Sequence, residues 1–160
     1  MILAVGKKAI YPCQGPCLIG RVVNRVVNDR TVLFYHLTVL GDSGGELYVP
    51  VDKAQAIGVR LLLKRSEIPK LLEHLKQVDI TSEHWRQRAI DNLKLFTSGS
   101  PYDLAEVIKS LTVLKRKSTL TLGEVRTLDK ARKLLIGEIS EVMGEAKSVV
   151  EEQLDHALNA

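Results

Sequence analysis

Two textures of apolar spacing divide the chain. In its first third, Cys17–Val27 and Thr31–Leu40 are crowded with Val, Leu, Ile and aromatic residues, broken by single polar positions such as Arg21, Asn24 and Arg25. Short runs rich in β-branched residues read as strands. Pro12 and Gly15 punctuate the segments before them, and Asn28-Asp29-Arg30 separates the two runs. Asn and Asp tolerate left-handed backbone, which a tight hairpin needs. Gly41–Gly45 makes the next turn and Glu46–Val51 a closing strand. Several short strands in so little chain predict a small, bent antiparallel sheet or barrel.

After Pro50 the apolar residues recur at helical spacing. Residues 53–65, with Gly58, read as a connector. Ser66–Gln77 places Ile68, Leu71, Leu72 and Leu75 on one side, with Pro69 tolerated in the first turn. A helix carrying Trp85 follows, with Ser82 as N-cap and Ser98-Gly99 as its stop. Ser100-Pro101 opens the next, whose stripe is Leu104, Val107, Ile108, Leu111 and Leu114. Lys115-Arg116-Lys117-Ser118 reads as a basic loop. Thr121 and Glu124 have the spacing of a capping box, opening a helix to about Val142 with Gly137 as a weak point. Beyond Gly144 a last helix bears Ala146, Val149, Val150, Leu154 and Leu158. The fold class predicted is α+β: a small β-barrel over 1–52, a connector over 53–65, and an all-helical domain of about five helices over 66–160.

Composition narrows the function. A hydrophobic content of 45% supports a packed core. No apolar run approaches membrane-spanning length, since Val59–Leu63 is short and holds Arg60. MILAVGKK lacks the features of a signal peptide, so the expected location is the cytoplasm, and Cys13 and Cys17 suit a reducing compartment. The net charge of +4 conceals an asymmetry. Residues 1–64 carry 8 Lys/Arg against 4 Asp/Glu, residues 65–133 carry 14 against 9, and residues 134–160 carry 1 against 6. Basic charge therefore precedes an acidic last helix, a balance compatible with nucleic acid but not diagnostic of it.

Catalytic and metal chemistry find little support. Cys13, Cys17 and His36 are a fragment of a zinc ligand set with no second cluster, and the four histidines are scattered. Gly41–Gly45 lacks the Lys-Ser/Thr of a phosphate cradle. No enzyme, cofactor or metal is expected. Trp85 beside Arg86 and Arg88 admits two readings. One is a core tryptophan covering the end of the helical bundle. The other is an exposed aromatic that meets a base while cations hold phosphates.

The ordered motifs resemble one family. Val5-Gly6, Tyr11-Pro12 and Gly15, then Val49-Pro50 and Gly58-Val59-Arg60, are similar to the CarD/CdnL family of bacterial transcription regulators. So are Trp85 with Arg88, Asn92-Leu93, Ser98-Gly99, Ala105-Glu106-Val107, Leu111, Gly123-Glu124, Leu128, Lys130-Ala131-Arg132, Leu134-Leu135 and Gly137-Glu138. The resemblance implies a Tudor/SH3-like N-terminal module that binds the RNA polymerase β subunit, with Arg25 and Tyr48 at the contact. Tyr48 stands where the family commonly has arginine. It also implies a helical domain on promoter DNA at the upstream edge of the melted bubble, where Trp85 wedges into the minor groove and stabilises the open complex formed with the housekeeping sigma factor. Arg86, Arg88, Arg126, Lys130 and Arg132 are the DNA-binding candidates. Gln87, Ile90 and Val125 stand where the family has cations. A monomer with no membrane contact, associated with the nucleoid through polymerase, is the expectation. The alternative is a polymerase-binding adaptor whose helices bind another protein.

Overall fold

The computed structural model describes residues 3–41, 44–76 and 85–159, and for Trp85 and Arg86 the backbone alone. Ser82 lies outside the described residues. Two compact units emerge, Met1–Leu62 and Leu63–Ala160.

The first unit is an antiparallel sheet of β1 (Lys8–Tyr11), β2 (Gly15–Val27), β3 (Arg30–Val39), β4 (Glu46–Pro50) and β5 (Arg60–Leu61), in the order β4-β3-β2-β1-β5. Strands β4 and β5 are not paired to each other, so the sheet is not a hydrogen-bonded closed barrel. Asn28 and Asp29, at φ 49° and 62°, make the two-residue turn between β2 and β3, the backbone sign that matches strand twist. The register of that pair shifts between Ile19 and Val22. At Gly20, within the shift, a Cβ would come within 3.1 Å of both the His36 ring and its carbonyl oxygen, so a larger residue would require β3 to give way by a few tenths of an ångström. One face buries Cys17, Ile19, Tyr35, Leu37, Val39 and Val49 with Ala9 of β1.

Residues 53–62, expected as connector, belong to this unit. Ala54–Ile57 forms a single-turn helix, α1, ended by Gly58 at φ 104°. Ala54 and Val59 are buried in the sheet's core, and Leu61 pairs with Ala9.

The second unit opens with a 3-10 turn (Arg65–Glu67), then α2 (Ile68–Lys76), α3 (Trp85–Thr97), α4 (Pro101–Lys117), α5 (Leu122–Met143) and α6 (Lys147–Leu158). Its core is the set of apolar stripes: Ile68, Leu71 and Leu75 of α2, Leu104, Val107, Ile108 and Leu111 of α4, Leu128, Leu135, Ile136 and Ile139 of α5, and Val150 and Leu154 of α6. At the head of α4 the Ser100 hydroxyl accepts from the Asp103 amide at 3.4 Å, with Pro101 in the first turn. The basic stretch Lys115–Lys117, expected as loop, is the last turn of α4 instead. Cations are favoured there because the carbonyl end of a helix is negative. Helix α5 runs through Gly137 without a break and stops at Gly144, φ 66°. Burial of its stripe outweighs the roughly 1 kcal/mol that one interior glycine costs. Glu138, 1% exposed, accepts a hydrogen bond from the Leu63 amide at 2.9 Å and so ties the start of the unit to α5.

Candidate functional site

On the sheet unit, alternation puts Phe34, His36 and Thr38 of β3 on the face opposite the core, with Pro50, Tyr48 and Glu46 as their cross-strand partners on β4. Arg25 and Tyr48 meet on this face. The guanidinium carbon of Arg25 lies 4.2 Å from the centre of the Tyr48 ring, a cation–π distance. His36 also stacks on the Tyr48 ring, with centroids 4.9 Å apart and the planes at 23°. Glu46 Oε1 is 3.4 Å from His36 Nε2, close enough for an ion pair but not aligned as a hydrogen bond. Tyr48 remains 41% exposed. β4 pairs with β3 on one side only and its other edge is unpaired among the described strands. An exposed edge of backbone donors and acceptors beside a cation and an aromatic ring is suited to adding a strand from another protein.

Cys13 and Cys17 are free thiols, and burial pushes the Cys17 thiol up to about 11 against an opposing backbone hydrogen bond from Tyr11. Such a thiol is a poor nucleophile at neutral pH. Among the described residues no three His, Cys, Asp or Glu side chains are grouped as a metal site.

In the helical unit, the candidate cations have different surroundings. Arg88 Nε donates to Glu124 Oε2 at 3.1 Å, and the two side chains are 12% and 10% exposed. Glu124 is also the third residue of α5: its amide donates to Thr121 Oγ1 at 3.2 Å, and its Oε1 accepts from the Thr121 amide at 3.0 Å. Burial raises the Glu124 carboxyl, but the Thr121 amide and the Arg88 guanidinium together hold it below its ordinary value. Arg88 is thus a strut between α3 and the head of α5. Arg132 reaches α6, with its guanidinium 3.3 Å from Glu151 and 2.9 Å from Asp155. Arg126 and Lys130 are exposed on α5, and Lys130 Nζ stands 5.8 Å from the Phe96 ring of α3. Gln87 is exposed and donates to Asp91 at 2.9 Å. Ile90 and Val125 are exposed as well, as are Leu93 and Leu122. The side chains of Trp85 and Arg86 lie outside the described residues, while their backbone forms the first turn of α3.

Helix α3 packs by Leu95 and Phe96, and among its described side chains no apolar one is fully buried. Between it, α4 and α5 lies an open pocket of about 350 Å³, lined by Ala89, Asn92, Leu93, Phe96, Leu111 and the first turns of α5. Sequence reasoning did not single out this pocket. The only sign was polar Asn92 between apolar Ile90 and Leu93, an order inverted relative to what α3 buries.

Residues 70–155 match the family described as "CarD, C-terminal domain", and residues 3–61 match the "CarD-like/TRCF RID domain". The chain belongs to the CarD family. It is similar to the "Putative transcription factor YdeB" of Bacillus subtilis (strain 168), at 22% identity over 143 residues that cover 88% of this chain and 92% of that protein. CarD membership makes it a transcription-related, RNA polymerase-interacting factor. No helix among the described residues is long and apolar enough to cross a membrane.

Proposed function

We propose that this CarD-family protein docks on the β subunit of RNA polymerase through its sheet unit and stabilises the promoter open complex through α3. The observation that carries this reading is the match of both family domains, in order, over most of the chain. The β4 edge with Arg25 over Tyr48 is the docking surface. Trp85, at the head of α3, enters the minor groove at the upstream edge of the bubble, where stacking is already broken and the wedge costs least. Because the wedge then favours the open over the closed state, it shifts that equilibrium. Arg126 and Lys130 are the exposed cations that hold phosphate, with Arg86 beside the wedge, and the housekeeping sigma factor completes the complex. The protein acts as a monomer at the nucleoid.

A second reading has its own support. Ile90, Leu93, Leu122 and Val125 are exposed on α3 and at the start of α5, which favours a protein partner for the helical unit. Recovery of RNA polymerase on the immobilised protein, with promoter DNA footprinted in that complex, separates the two. Protection at the upstream bubble edge supports the DNA reading. Polymerase recovery without it supports the adaptor.

A further inference from the structure

We infer that the pocket between α3, α4 and α5 receives an unpaired nucleobase, adenine being the best match, displaced from the stack at the edge of melted DNA; this rests on α3 being the DNA-facing helix. Three observations lead there. The pocket's 350 Å³ falls in the range of about 300–1,000 Å³ usual for sites that enclose small organic groups. Its walls are mainly apolar, with the Phe96 ring on α3 and Leu111 on α4. Asn92, only 8% exposed, lines it with a side chain that has no hydrogen-bond partner among the described residues.

The pocket is open, so water can reach this carboxamide, and a ligand whose polar edge reproduces those hydrogen bonds can take the water's place. An aliphatic side chain from a partner protein would fill the apolar walls and leave Asn92 unpaired. A nucleobase answers both: its faces are apolar and stack on aromatic rings, and its edge carries donors and acceptors. Asn pairs bidentately with adenine through one donor and one acceptor. Position also fits. In α3, positions 85, 89, 92 and 96 follow one another on a single helical stripe, so the pocket begins one turn from the backbone of Trp85. A base expelled by a wedge at 85 has a receptacle on the same stripe. Lys130, near Phe96, supplies positive charge at that end.

The test uses the full-length protein with RNA polymerase on a promoter whose upstream-edge bases are replaced one at a time by adenine or by an abasic site, reading open-complex lifetime. With wild type, adenine at one position should lengthen the lifetime over the abasic site by about tenfold, the scale of one bidentate base contact. Asn92→Leu should remove that difference. Ala89→Phe, at an exposed position on the rim, should do so by blocking entry without disturbing the core. Equal lifetimes for adenine and abasic templates at every position, or a difference that survives both variants, would overturn the inference. Thermal stabilisation by free adenosine with no effect of the template base would also overturn it, placing a free nucleotide in the pocket. So would loss of a partner protein's binding in Asn92→Leu with template bases irrelevant. Trp85→Ala run alongside separates the levels: a shortened lifetime there, with neither pocket variant acting, rejects the pocket and leaves the wedge, whereas no effect of any of the three rejects the DNA reading itself.

Discussion

Replacing Arg88 by Met tests whether this residue is a strut or a phosphate contact. The substitution keeps most of the stem and removes the guanidinium that faces Glu124 at 3.1 Å. Glu124 would then keep its hydrogen bonds to Thr121 but no cation beside its charge, at 10% side-chain exposure. Removing one member of a fully buried pair costs about 3–5 kcal/mol. Both side chains here keep about a tenth of their exposure, so water offsets part of the loss and about 2 kcal/mol is expected. For a domain of this size that lowers the midpoint of thermal unfolding by about 8–16 °C. The pairing also predicts non-additivity: Arg88→Met with Glu124→Gln should be less destabilised than the two single effects combined. Differential scanning calorimetry of the four proteins gives the cycle. An unchanged midpoint in Arg88→Met, together with a DNA salt dependence reduced by about one counterion, would refute the strut and return Arg88 to the phosphate contacts.

Further outcomes follow from the same geometry. Glu124 has a folded-state value below its ordinary one, so its contribution is present at neutral pH and is lost as pH falls through that depressed value; the wild-type helical unit should lose stability more steeply than Glu124→Gln in urea titrations below about pH 4.5. Arg25→Glu should weaken polymerase association by roughly 2–5 kcal/mol if the contact is desolvated, measured by surface plasmon resonance, and unchanged binding would mean that the docking surface is elsewhere. Lys130→Glu should reduce binding to free duplex for all sequences alike and lessen its salt dependence. Arg132→Glu should instead act mainly on stability, because its guanidinium faces Glu151 and Asp155; equal unfolding midpoints for Arg132→Glu and wild type would contradict that.

What could be read from the sequence was local. The Asn28-Asp29 turn, the Thr121–Glu124 capping box and the Ser100-Pro101 helix start each depend on residues within one turn of each other, and each is present. The contribution of residues 53–61 was not legible, because β5 is two residues long and exists only by pairing with β1, some fifty positions earlier. Lys115–Lys117 read as a loop because three adjacent cations repel, yet the helix terminus compensates them. Arg88 could be placed near Trp85 but not against Glu124, 36 residues on. Membership of the family was legible because it rests on many weakly informative residues in order, a property of the chain rather than of any one contact.

The proposed function rests on α3 holding the bubble open through Trp85. Its most direct test is the lifetime of heparin-challenged open complexes formed with wild type, Trp85→Phe and Trp85→Ala, at concentrations where each saturates polymerase. A differential affinity of about 1.4 kcal/mol for the open state corresponds to about a tenfold shift. Wild type should extend the lifetime on that scale, Trp85→Phe should retain part of it, and Trp85→Ala should lose it while folding and binding polymerase normally. A folded Trp85→Ala whose open complexes live as long as those with wild type would contradict the account.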